Sequence, residues 1–365
     1  MFDYISWRGD LDFSVSPFNP VDNIILSQLS YLTFEGIVPA PEDGCGISVD
    51  LAVRIYNEKL SDPNFIITSM FKEDPDLIRA LGSSKRFGNC QLFGYENHND
   101  VSREIQFSAL CMHIDDVHSF VVYRGTDLSL VGWKEDFNMS FKEVIPSQII
   151  AVEYLEKMAP LLNGSLKIGG HSKGGNLAVY AASKCSKKVQ KRITEVFSND
   201  APGFNENFIA SEGFQSIKSR IRSYIPQSSV IGMILEHGDN STIIKSSETG
   251  LMQHNLYSWE VAYNDLVRAE KTTSSSRFIN DTIREWFKKV DADQRGHFID
   301  ALYQILSAAD IKSISGLENS WFSTAGRVLK SFNNTDESVK KTIRKVIMEL
   351  FQSAQNNFET LMKKD

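Results

Sequence analysis

The stretch KIGGHSKGGNLAVYAA, residues 167–182, places Gly170 and Gly174 two positions to either side of Ser172. Glycine serves where the backbone takes a positive φ, or where two elements approach too closely for a side chain. The preceding SLKIGG reads as a short buried strand. The following GNLAVYAASKC reads as a helix with Leu177, Tyr180 and Ala181 on one face. Strand, sharp turn and helix together form the setting in which G-x-S-x-G lifts a serine hydroxyl above the end of a sheet. A phosphate loop needs G-x-x-x-x-G-K-[ST] or G-x-G-x-x-G, and neither is present. The plain alternative is an ordinary glycine-rich turn between a strand and a helix.

The flanking segments alternate in the same way. NPVDNIILSQLSYLTFEG predicts a helix capped by Asp22 or Asn23 and ending near Gly36, and SVDLAVRIYNEKL predicts another. IQFSALCMHID and HSFVVYRGTD read as neighbouring strands joined by a turn at Asp115 and Asp116. PSQIIAVEYLEKMAPLL carries Ile149, Val152, Leu155 and Met158 at helical spacing. RITEVFSND, IRSYIP and STIIKSS follow as strands, with a helix at FNENFIASEGFQSIKSR. Such alternation predicts an α/β class with a mostly parallel, doubly wound sheet and helices on both faces. From about residue 270 the pattern turns helical, with Ile279, Ile283, Trp286, Phe287 and Val290 on one stripe. The expected division is therefore a sheet domain over 1–270 and a helical extension over 271–365, with KTTSSS at 271–276 as linker. Residues 41–104, rich in Gly, Asp, Asn and Pro, read as a peripheral or lid-like insertion.

Composition excludes several classes of function. With 365 residues, 42% hydrophobic and 23% charged, the chain has the make-up of a soluble globular protein. A net charge of -7 without a basic stripe argues against a nucleic-acid partner. No segment reads as a membrane span, and MFDYISWRGDLDF lacks the pattern of a signal peptide. The four cysteines, Cys45, Cys90, Cys111 and Cys185, form no C-x-x-C pair. Reduced thiols in a cytoplasmic protein, without zinc or another cofactor, are the expectation.

A serine nucleophile needs a base, a group that orients the base, and donors for the oxyanion. The histidines after Ser172 are His237, His254 and His297; His254, in the loop after STIIKSS, fits best, while His297 sits in the helical tail. Asp200, in SNDAPGF at a strand end, leads as the orienting acid, with Glu236 and Asp239 in reserve. A turn-forming aspartate before Ala-Pro-Gly is its competing reading. The backbone N–H of Lys173 and a donor at Thr126, in the strand end Arg124-Gly125-Thr126, would serve the oxyanion.

FVVYRGTD, GWKEDF and IGGHSKGGNLAVYAA together resemble the class 3 (fungal-type) lipases, most strongly over residues 105–205. The wider chain is similar to a bacterial family of lipase-like α/β-hydrolases with a helical C-terminal extension. The resemblance implies Ser172 as nucleophile, His254 as base, Thr126 in the oxyanion hole, and Asp136 as a structural partner of Arg124. It implies a carboxylic ester substrate, acylglycerol or phospholipid; a small ester or thioester fits equally. One departure stands out: the lipase pattern has its aspartate after the strand that here ends in PQSS, where no aspartate occurs. The competing reading is a hydrolase-fold scaffold whose helical tail binds a protein partner.

Overall fold

The computed structural model describes residues 1–60, 71–100, 102–103, 105–126, 139, 143–229, 231–233, 235, 241–248, 250–274, 276–277, 281–282, 337 and 341. Almost all of the extension over 271–365, with His297, lies outside the described residues, as do Trp133, Asp136, Glu236, His237 and Asp239.

Eight strands form one sheet: β1 (Ile47–Ser48), β2 (Gln91–Asp100), β3 (Ile105–His113), β4 (His118–Tyr123), β5 (Ser165–His171), β6 (Ile193–Asn199), β7 (Ile221–Pro226) and β8 (Ser241–Ile244). They lie side by side in chain order, antiparallel from β1 to β4 and parallel from β4 to β8. The α/β class and the mostly parallel sheet are as expected. The doubly wound topology is not: such a sheet reverses its strand order at a switch point, and this order never reverses. Successive right-handed crossovers running in one direction put their helices on one face. Helices Pro146–Met158, Lys173–Lys184 and Glu212–Ile217 pack there on Phe107, Val121, Ile168 and Val196.

The second face is covered by earlier segments. Helices Pro20–Leu29, Val49–Lys59 and Asp74–Ser83 share a core with Leu110, Met112, Phe120 and Phe197. Alternation along β3 sends Ala109 and Cys111 to one core and Leu110 and Met112 to the other. Residues 41–104 are thus no peripheral insertion: they supply β1, β2 and the helices Val49–Lys59, Asp74–Ser83 and Lys85–Gly88 of the core, although 61–70, 101 and 104 lie outside the described residues.

Helix Pro20–Leu29 starts with Asn19 as N-cap and Asp22 at the third position, a reciprocal capping box with Pro20 at the first turn. The expected caps, Asp22 and Asn23, lie inside the helix. Asp22 instead receives Arg86 in a fully buried pair, at 2.7 Å from Nε and 2.6 Å from Nη2. Helix Pro146–Met158 forms as predicted but turns a different face inward. Ser147, Gln148, Ala151 and Tyr154 are buried beside Leu155 and Met158, while Ile149 is 46% exposed. FNENFIASEGFQSIKSR breaks into two helices, Glu206–Ala210 and Glu212–Ile217, because Ser211 caps the second. Among the described residues no helix is long and apolar enough to cross a membrane.

Candidate active site

The register of the parallel strands brings four chain segments to one edge. Tyr123 pairs with Gly170, His171 with Asn199, and Asn199 with Tyr224. The residues that follow these strand ends, Arg124 to Thr126, Ser172, Asp200 and Gln227 to Ser229, therefore share the carboxyl end of the sheet, where α/β sheets hold their ligands.

Ser172 has φ 56° and ψ -132°, a conformation that costs a non-glycine residue about 1–3 kcal/mol. Its N–H donates to Asn199 O at 2.9 Å, and its carbonyl accepts from Gly175 N at 3.0 Å. The flanking glycines are steric requirements. A methyl group at Gly174 would stand 2.1 Å from Tyr123 O, and one at Gly170 would stand 2.4 Å from the carbonyl carbon of Gly174. Beneath the turn, the Asn23 and Asn199 amides exchange hydrogen bonds of 2.8 and 3.1 Å, and Asn199 Nδ2 also reaches Ser27 Oγ and Gly170 O. This buried web ties helix Pro20–Leu29 to the serine turn.

Asp200 and His254 come together. His254 Nδ1 lies 2.6 Å from Asp200 Oδ2, with the carboxylate buried and the imidazole 23% exposed. The second carboxylate oxygen accepts from Ser229 Oγ at 2.5 Å and Gly232 N at 3.1 Å. Ser229 belongs to the very strand end that lacks an aspartate; its hydroxyl supports a carboxylate offered by the neighbouring strand. His254 closes a 3₁₀ turn, Gly250–His254, after β8. A second 3₁₀ turn and the hairpin β9 (Val261–Ala262) with β10 (Asp265–Leu266) follow. The His254 ring packs on His171, the residue before Ser172, with centroids 4.3 Å apart. No hydrogen bond joins Ser172 Oγ to His254 in this conformation.

Lys173 is buried, and its ammonium donates to Gln106 O at 2.7 Å and Gln106 Oε1 at 2.9 Å. Its backbone N–H opens the helix that follows Ser172. Gly125 lies against Ser172, since a methyl group there would stand 3.1 Å from Ser172 Cβ; Thr126 follows it, half-buried. Arg124 is buried and donates to Asn97 Oδ1 at 3.1 Å. Burial pushes the Cys90, Cys111 and Cys185 thiols up to about 12, which removes them as thiolate nucleophiles.

His171 is fully buried with Tyr31 Oη 2.8 Å from its Nδ1. Burial, reinforced by His254, holds its pKa well below the ordinary histidine value. It stays neutral in the folded chain, whereas the unfolded chain takes up a proton below about pH 6.5. Its contribution to stability is therefore present above that pH and lost as pH falls, with a slope approaching about 1.4 kcal/mol per pH unit. Urea midpoints followed from about pH 7.5 to about pH 5 are expected to fall more steeply for the wild type than for His171→Gln. Parallel curves would contradict a buried neutral imidazole.

The sequence profile of the Mbeg1-like family matches residues 81–304, more than half of the chain. The chain belongs to the Mbeg1-like family. The matched range takes in β2 to β8 and, with them, Ser172, Asp200 and His254 of this Mbeg1-like chain. No curated protein matches it. Among solved structures it is similar to M37 lipase, at 13% identity and TM-score 0.36, covering 59% of this chain and 70% of that one. It is similar also to the native propeptide complex of Rhizomucor miehei lipase, at 12% identity and TM-score 0.35, covering 62% and 73%.

Sequence reasoning missed the supporting residues Asn23, Asn199, Ser229, Tyr31 and His171. Asn23 was the most accessible of these from sequence: a polar residue inside the apolar run VDNIIL asks for a buried partner.

Proposed function

We propose that this Mbeg1-like chain is a serine hydrolase of carboxylic esters with an α/β-hydrolase type of mechanism. The observation that carries the reading is the buried Asp200 carboxylate on His254 Nδ1, at the sheet end that also bears a strained serine between two sterically required glycines. A carboxylate accepts only, so Nδ1 carries the proton and Nε2 is the free base. In the reaction, Ser172 Oγ attacks the ester carbonyl as its proton passes to Nε2. The carbonyl π electrons move onto oxygen, which the N–H groups of Lys173 and Thr126 receive. Collapse expels the alcohol, protonated by the imidazolium, and leaves an acyl-serine. Water, deprotonated at Nε2, then releases the acid and regenerates Ser172. Closing the gap between Ser172 Oγ and His254 accompanies substrate binding, as such bonds tighten in the reacting complex.

The substrate class that fits is a fatty acyl ester, with short esters and thioesters within the same chemistry. A fluorophosphonate probe is expected to label the wild type and to leave Ser172→Ala unlabelled. p-Nitrophenyl esters from butyrate to palmitate then report chain-length preference. Labelling that survives Ser172→Ala, or a wild type no faster than that variant on every ester, ends the hydrolase reading.

A further inference from the structure

We infer that Ser229 and Ser276 are positioning residues, through which Thr273 and Ser276 hold the Asp200–His254 pair in its geometry; this rests on the roles proposed above for that pair. KTTSSS reads from sequence as a linker, yet it is bonded onto the loop after β7. Thr273 N donates to Gln227 O at 2.7 Å, and Thr273 Oγ1 lies 3.1 Å from Ser228 Oγ. Ser276, 2% exposed, donates from Oγ to Ser229 O at 2.5 Å. The same loop faces the site from its other side. Ser229 Oγ donates to Asp200 Oδ1, and Ser228 N donates to the side chain of Gln253, the neighbour of His254, at 2.7 Å. Three consecutive residues, 227 to 229, therefore touch the acid, the residue beside the base, and the segment that leads out of the sheet domain.

The direction of the chain of donors is fixed by chemistry. A serine hydroxyl has one proton. Gly232 N–H donates to Ser229 Oγ at 2.9 Å and also to Asp200 Oδ1 at 3.1 Å, so Ser229 spends its own proton on Asp200. With Oδ1 held by two donors, Oδ2 is the oxygen turned to His254 Nδ1. Loss of the hydroxyl removes one of the two donors that set this rotation. Loss of the Ser276 bond frees the backbone that carries it.

Ser229→Ala is expected to lower kcat on p-nitrophenyl butyrate by about 10-fold or more, with KM little changed. It is expected also to remove the downfield proton resonance of His254 Nδ1–H seen in the wild type. Ser229→Thr, which keeps the hydroxyl, restores both. Ser276→Ala reproduces a smaller loss and serves as the second reading should Ser229→Ala fold poorly. Wild-type kcat with an unchanged resonance in both alanine variants overturns the inference. So does a loss of activity that leaves the resonance in place and that threonine does not rescue, since that is the signature of structural damage alone. A wild type without Ser172-dependent turnover, whose resonance still disappears in Ser229→Ala, upholds the positioning and sinks the hydrolase reading instead.

Discussion

Asp200→Asn is expected to lower kcat for ester turnover by about 10⁴-fold while the chain still folds and Ser172 remains in place. The cause is a tautomer. In Asp200→Asn the donors Ser229 Oγ and Gly232 N still require an acceptor where Oδ1 now lies. The amide oxygen must occupy that place, which turns the NH₂ group toward His254 Nδ1. Nδ1 then becomes an acceptor, the ring proton moves to Nε2, and the base that Ser172 needs is gone. The imidazolium of the transition state also loses its counter-charge. Steady-state kinetics on p-nitrophenyl butyrate, beside a fluorophosphonate labelling rate, checks this. A loss of less than about 10-fold would mean that Asp200 does not orient the base.

Arg86→Met is expected to destabilise the fold by about 3–5 kcal/mol, because it leaves a buried carboxylate without its cation. Arg86 and Asp22 are both completely buried. The guanidinium also donates to the carbonyls of Leu11, Ser16 and Pro17 and stacks over Phe13 at 4.0 Å. Asp22 in turn accepts from Tyr4 Oη at 3.0 Å and from Asn19 N at 2.9 Å. One ion pair thus fastens residues 4–22 to the helices of the second face. The double variant Asp22→Leu with Arg86→Met removes both charges and is expected to be less damaging than Arg86→Met alone. Urea unfolding measures both, and a double variant that is worse than the single one would show that the bonds Asp22 accepts from Tyr4 Oη and Asn19 N outweigh the cost of its unpaired charge.

The parts of this molecule legible in the sequence are those governed by local rules. The serine turn follows from steric demands within seven residues, and the strands from their alternation. Asp200 is legible because it directly follows a strand. The faces of the helices are not legible in the same way. Ile149 has the spacing of a core residue, but Ser147 and Gln148 are buried in its stead. Their hydrogen bonds go to Gln106 O at 3.2 Å and Asn176 Oδ1 at 2.8 Å, partners more than 25 positions away in the chain. Asn23 and Asn199, 176 positions apart, meet for the same kind of reason. Period alone specifies a helix; the inward face is chosen by distant polar partners that no local pattern contains. Strand order likewise escaped, because alternation of strands and helices is common to singly and doubly wound sheets.

The unreversed strand order bears on how the protein is made. Each strand pairs with its neighbour in the chain, so the sheet can grow one hairpin or one crossover at a time as the polypeptide emerges. Helix Pro20–Leu29 is synthesised long before the surface it covers. Its contact with Asn199 exists only after the ribosome has added β6. The helix also packs on β4 and β5, made earlier, so it is the amide bond to Asn199, beneath the turn that carries Ser172, that is completed last. A nascent chain stalled before residue 199 would hold the serine and its glycines, yet lack the amide and carbonyl that tie their turn to helix Pro20–Leu29.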